Sequence, residues 1–176
     1  AYTRADFSSQ WPKTNLLILA SSLRIGGAET VMQHLALCID RGKFNVTVCY
    51  LKQRGQVGEV IERAGIDVVG ILNSEKADYS TFRKLLGVLR ERKIDVVHTH
   101  TTHGLVDACL CKLLLWRLRV VHTFHFGNYP HTRPRIIWLE RVFSHFADRL
   151  LAVGQAQRRQ LQALFGFSDA GIAVVW

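Results

Sequence analysis

The sequence predicts an α/β fold in three layers: a mostly parallel, seven-stranded sheet with helices on both faces. Three observations carry the prediction. Short apolar runs alternate along the chain with stretches whose apolar residues recur at helical spacing, the pattern of a sheet wound with crossover helices. Several of these runs, such as Leu16-Leu17-Ile18-Leu19-Ala20, are apolar throughout, as in strands covered on both sides. The chain has 176 residues, 48% of them hydrophobic and 21% charged, which suits one domain with a sizeable core.

Residues 1–14 have no period and mix Arg4, Asp6, Ser8, Ser9 and Pro12, so they read as a flexible arm carrying Phe7 and Trp11 ahead of a single domain over 15–176. The first strand is expected at 16–20. A loop with Gly26 and Gly27 leads into a helix over 29–41, with Val31, Leu35, Cys38 and Ile39 on one face and Gly42 at its stop. A strand follows at 46–51, then a helix over 57–64 closed by Gly65, and a strand at 67–72. Residues 73–80 are polar and turn-like. Phe82, Leu85, Leu86 and Leu89 recur at i, i+3, i+4 and i+7, which predicts a helix over 81–92. The remaining strands are expected at 95–98, 119–124, 149–153 and 172–175, and the remaining helices at 104–116, 133–147 and 156–165.

The net charge is +9, which points to anionic partners: phosphorylated substrates, anionic lipid headgroups or nucleic acid. Nucleic acid is disfavoured, because no helix-turn-helix, RNP or zinc-finger signature occurs. No apolar run reaches the roughly 18 residues of a membrane span, and the opening residues lack the pattern of a secretory signal. Cys38, Cys49, Cys109 and Cys111 sit in apolar helix or strand patterns, without C-x-x-C spacing. They read as reduced core thiols of a cytoplasmic protein.

In such sheets ligands bind beyond the carboxyl ends of the strands. Three strand ends carry unusual chemistry. After the first stand Gly26 and Gly27, not in a GxGxxG or Walker A pattern. They suit either a phosphate held by backbone N–H groups at a helix start or a tight turn needing positive φ. Glu29 there complements the helix dipole or hydrogen-bonds a sugar hydroxyl. The fourth strand ends in His98-Thr99-His100-Thr101-Thr102-His103-Gly104, and the fifth in His122-Thr123-Phe124-His125-Phe126. Most of the eight histidines fall in these two stretches. A zinc site from His98, His100 and His103 is disfavoured, because no carboxylate or thiolate lies near them in sequence and HExxH is absent. Alternation turns His122 into the sheet as a wall residue. His98 is open to either role. His125 stands past the strand end between Phe124 and Phe126, which would exclude water around it.

Taken in order, Ile25-Gly26-Gly27-Ala28-Glu29, Ile94-Asp95-Val96-Val97-His98-Thr99-His100, Val121-His122-Thr123-Phe124-His125 and Ala147-Asp148 before Leu151-Ala152-Val153 resemble the N-terminal half of group 1 (family 4) retaining glycosyltransferases. The resemblance spans nearly the whole chain from Leu16. It implies a GT-B architecture of two Rossmann-like domains with the active site between them. It implies Gly26 and Gly27 at the donor diphosphate, His125 as the catalytic residue near the donor sugar and phosphates, and His98, His100 and His103 toward the acceptor. It further implies a nucleotide-sugar donor as substrate, no cofactor and no metal. The family's pair of glutamates seven residues apart belongs to its C-terminal, donor-binding domain. No such pair occurs here, so this chain is expected to need that second domain and to be inactive alone.

Two basic, apolar segments, 110–119 and 130–141, have cations beside Trp and Leu at helical spacing. They read either as core-facing helices with a basic outer face or as contacts with an anionic membrane. The resemblance favours looking for the latter, because many family members glycosylate lipid-linked or lipopolysaccharide acceptors at the inner membrane face, in building cell-envelope polysaccharides. Arg133 and Arg135 suit an anionic acceptor equally well. The alternatives are a stand-alone basic module for phosphorylated ligands and part of a GT-B nucleotide-sugar epimerase.

Overall fold

A computed structural model of the chain describes residues 12–71, 81–125 and 133–175. The elements run β1 (Thr14–Ser22), α1 (Gly27–Cys38), β2 (Phe44–Gln53), α2 (Gly55–Arg63), β3 (Asp67–Gly70), α3 (Thr81–Glu91), β4 (Val96–Thr99), α4 (Thr102–Leu114), β5 (Arg119–Phe124), α5 (Pro134–Ser144), β6 (Arg149–Ala152), α6 (Gln155–Phe165) and β7 (Ala173–Val174). All seven strands join one sheet in the order β3-β2-β1-β4-β5-β6-β7. Every pairing is parallel. The chain winds outward from β1 to β3 and then returns to fill the other side from β4. The direction of winding therefore reverses between β1 and β4, the switch point where α/β sheets bind ligands.

Strand alternation sorts the apolar side chains into layers. Leu16, Ile18, Ala20 and Val48 pack under Met32 and Ala36 of α1 and Val57 and Ile61 of α2. Leu17, Leu19, Cys49, Val97 and Val120 pack on the opposite face, under Leu85 and Leu89 of α3 and Leu105 and Ala108 of α4. Phe124, Leu150 and Ala152 extend that second layer to Leu161 and Phe165 of α6.

Several expectations shift. Thr14 pairs with Phe44 and its N–H donates to Lys43 O at 2.9 Å, so β1 takes in the end of the expected arm. Residues 1–11, including Phe7 and Trp11, and the turn-like 73–80 lie outside the described residues. Helix α1 ends at Cys38, ahead of Gly42. The Asp40 carboxylate instead takes the Gly42 N–H at 2.8 Å and closes a turn. The buried stripe of α1 is Met32 and Ala36, whereas Val31 and Cys38 are exposed. Cys38 is therefore not a core thiol. The other three cysteines are buried.

Asp148, at the entry to β6, ties three elements together. Its Oδ2 accepts from Lys112 Nζ of α4 at 2.6 Å and from the Val120 N–H of β5 at 2.8 Å, while Oδ1 accepts from Arg119 Nη1 at 3.0 Å. Burial alone would raise its pKa, but these donors outweigh burial and hold it below the ordinary carboxylate value. Asp148→Asn keeps the shape and removes the charge. It is expected to cost about 1–3 kcal/mol in urea denaturation at neutral pH. The wild-type advantage should shrink as pH falls through the carboxylate range, because the folded-state pKa is the depressed one.

Candidate active site

The carboxyl ends of β1, β4 and β5 are neighbours in the sheet, so the three strand-end stretches meet on one rim. The His100 N–H donates to Leu19 O at 3.3 Å, which stitches the end of β4 to β1. The register places His98 beside Val121 and Thr99 beside His122. Alternation then sends His98, His100, Thr123 and His125 to the face of α1 and α2, and sends Thr99, His122 and Phe124 to the other.

On the first face the imidazoles form a short ladder. His98 Nε2 lies 2.8 Å from Thr123 Oγ1. The rings of His98 and His100 are 4.2 Å apart, and those of His100 and His125 5.0 Å. His100 Nδ1 is hydrogen-bonded to His125 Nε2 at 2.7 Å. Burial, reinforced by the neighbouring imidazoles, pushes His98 and His125 down to about 4 and His100 well below its ordinary value. All three are therefore neutral at pH 7, each with one N–H and one lone pair. His100 is 3% exposed, and its Nε2 has no partner among the described residues. If His100 Nδ1 donates, His125 carries its proton on Nδ1, ready to donate to a ligand oxygen. If His125 Nε2 donates, its Nδ1 becomes an acceptor instead. The pair can thus present either a donor or an acceptor without adding charge.

His122 is a wall residue, as alternation predicts. It is 1% exposed, with Nδ1 2.7 Å from Thr99 Oγ1 and Nε2 3.6 Å from Glu140 Oε1. Glu140, itself 3% exposed, also accepts from Thr102 Oγ1 at 3.0 Å. A carboxylate therefore does stand beside a histidine of this cluster, supplied from α5. Sequence reading passed over Glu140 as one more polar residue of a basic helix. Its spacing from Ile136, Ile137 and Ser144 places it on the inward stripe, and that was the available signal. Phe124 faces away from His125. Its ring packs edge-on to His122 at 4.7 Å and against Phe165 at 6.1 Å, so it does not screen His125 from water. Phe126 lies outside the described residues.

Gly26 is extended, φ −171° and ψ 166°, which removes the reading of a turn that needs positive φ. A Cβ there would meet only the Glu29 carboxylate, and at Gly27 it would meet nothing within 4 Å. Gly27 opens α1, whose start has no side-chain cap, so its first-turn N–H groups have no partner within the helix. The loop is held from behind. Leu23 exchanges backbone bonds with Gln53 and Val57, and Gly55, at φ +58°, sits so close to the Leu23 carbonyl that no Cβ fits. His103 stands exposed in the first turn of α4, apart from the ladder, because Thr101 caps that helix two residues earlier than expected. Arg133 and Arg135 are exposed at the start of α5. Among the described residues, no three His, Cys, Asp or Glu side chains are arranged to hold a metal ion.

The sequence profile of Glycosyltransferase Family 4 matches residues 25–176, from the glycine loop through the last strand. The chain belongs to this family. Crystal structures with the same fold include Anabaena HepE in complex with UDP, at a TM-score of 0.77 and 20% identity over 93% of this chain and 44% of that one. The lipopolysaccharide outer core galactosyltransferase WaaB in its apo form gives 0.65 and 17% over 93% and 45%. The UDP-GlcNAc 2-epimerase of Methanocaldococcus jannaschii gives 0.62 and 17% over 92% and 45%. No curated protein matches the sequence. This Family 4 chain spans less than half the length of the structures it resembles.

The neutral histidine ladder has a stability cost in acid. The unfolded chain protonates these imidazoles near pH 6.5, whereas native His98 and His125 take protons only near 4. Their contribution is complete above about 6.5 and is lost as pH falls toward 4, by up to about 1.4 kcal/mol per pH unit for each fully buried ring. Thermal melts between pH 7.5 and 4.5 are expected to show Tm falling steeply below 6.5, with a shallower slope in His100→Gln.

Proposed function

We propose that the domain is the acceptor-side half of a metal-independent, retaining glycosyltransferase, paired with a donor-binding domain across the histidine rim. Its donor is a nucleotide sugar and its acceptor a glycan or a lipid-linked saccharide. One observation carries the reading: the His100–His125 pair shares a rim with the uncapped, Cβ-free start of α1. The N–H groups at Gly26 and Gly27 suit a diphosphate, which the helix dipole favours there. His125, oriented by His100, is the group to hydrogen-bond the departing diphosphate as the bond from sugar to phosphate breaks. The new glycosidic bond then forms to the acceptor hydroxyl, whose proton passes to the leaving phosphate. His98, Arg133 and Arg135 fall to the acceptor side, with His103 further out. HepE structures hold UDP and UDP-glucose, so uridine diphosphate sugars are the first donors to test.

The test uses the protein that carries both domains. His125→Ala is expected to lower kcat about 100- to 1,000-fold, the range for losing one group that stabilises developing charge. Gly27→Val is expected to raise KM for the donor at least tenfold, with Tm unchanged because its side chain enters open space. An unchanged rate for His125→Ala removes that residue from the reaction. Conversion of the donor with no acceptor present assigns the epimerase reading instead. Donor binding by the two-domain protein with no transfer to any acceptor assigns a binding module.

A further inference from the structure

A buried carboxylate stands behind the histidine rim, on the face of the sheet opposite the ladder. Glu140 of α5 sits between two apolar residues of its own helix. Ile137 packs into the cluster of Phe124, Leu150 and Leu161, and Phe143 into that of Leu105, Cys109 and Val120. A methionine or leucine at this position would join the two clusters, whereas enclosing a carboxylate there is costly. Folding alone does not account for Glu140.

Its contacts grip both halves of the ladder. Thr99 and Thr102 flank His100 in the chain. Glu140 Oε1 accepts from Thr102 Oγ1 at 3.0 Å, and it reaches Thr99 through His122, whose Nε2 lies 3.6 Å from the same oxygen and whose Nδ1 lies 2.7 Å from Thr99 Oγ1. His122 Nε2 has no hydrogen-bond partner among the described residues, and the carboxylate faces it. A negative oxygen there favours a proton on Nε2, which leaves Nδ1 to accept from the Thr99 hydroxyl. Residues 122 and 140 also bracket one stretch of chain, and that stretch carries His125, Arg133 and Arg135.

We propose that Glu140 is the positioning residue of the histidine rim. From behind the sheet it holds the turn that bears His100 and both ends of the segment that bears His125. It thereby fixes the 2.7 Å bond between those two imidazoles and the entry of α5. Its importance for sugar transfer rests on the transferase reading of that rim, to which it adds a division of labour. Glu140 acts on His125, whereas the glycine bend at the donor phosphates is held separately, by the backbone bonds of Leu23 with Gln53 and Val57.

Kinetics of the two-domain protein, followed as UDP release from UDP-glucose, test it. Glu140→Gln keeps an oxygen for Thr102 but turns an amide N–H toward His122, which reverses the order of protons toward Thr99. It is expected to lower kcat about 10- to 100-fold, as when a reacting group is displaced by up to about 1 Å, with KM for UDP-glucose and Tm unchanged. Glu140→Met should keep or raise Tm and lose as much kcat. Unchanged kcat in Glu140→Gln overturns the proposal. So does a fall in kcat that runs in proportion to Tm and to donor affinity, the mark of a purely structural residue. Ring-nitrogen NMR of histidine-labelled protein needs no turnover: Glu140→Gln should move the His122 proton from Nε2 to Nδ1 and shift the His125 signals. A wild type that transfers no sugar removes the transferase reading. The hold of Glu140 on the ladder is then decided by the His125 signals, whose constancy overturns it.

Discussion

Four register pairs, from Val96 opposite Arg119 to Thr99 opposite His122, decide which way every imidazole on the rim points. A slip of β4 by one residue would exchange its faces, burying His98 and His100 under α4 and turning Thr99 away from His122. The register is defended from both ends. At the start of the strands, the Arg119 N–H donates to Asp95 O and the Asp148 N–H donates to Val120 O, with the Asp148 carboxylate taking the Val120 N–H. At their ends, Thr99 bonds His122 and His98 bonds Thr123. The same cross-strand pairs therefore hold the sheet in place and orient its chemistry.

Charge is distributed by depth. A chain of net charge +9 keeps its ladder of histidines neutral, because burial strips water from any positive charge placed there and the neighbouring imidazoles add to the cost. Its arginines and lysines stay outside or are tied to Asp148, Asp67 and Asp169. The rim thus offers hydrogen-bond direction from the imidazoles and partial charge from a helix start, with full positive charge on exposed Arg24 beside the glycine loop and on Arg133 and Arg135 at the start of α5.

Much of this was readable from residues alone, for reasons that also mark the limits. Apolar runs without alternation announce strands covered on two sides, and β5 occupies its expected residues, Arg119–Phe124. Helix α3 starts where Thr81 suggested because its apolar stripe is narrow and unambiguous. Helix α1 is apolar on most of its circumference, with Ala28, Val31, Met32, Leu35, Ala36 and Leu37, so periodicity could not choose the inward face. The sheet chose Met32 and Ala36. Strand ends ran long wherever a partner strand continued, as Thr14 does beside Phe44, which no local pattern reveals. Of the site, the clustering of histidines on one rim was legible. Their internal pairing and the approach of Glu140 were not, because both arise from side chains 25 or more residues apart meeting across strands and helices.

The cysteines differ sharply in chemistry. Burial pushes the Cys49 and Cys111 thiols up to about 12 and Cys109 to about 11, so almost none of the reactive thiolate exists in these three at neutral pH. Cys38 is exposed at the far end of α1, the helix that begins at Gly27. A maleimide dye would therefore attach at one place without engineering, on the rod whose other tip borders the glycine bend, giving an optical reporter of whatever settles there.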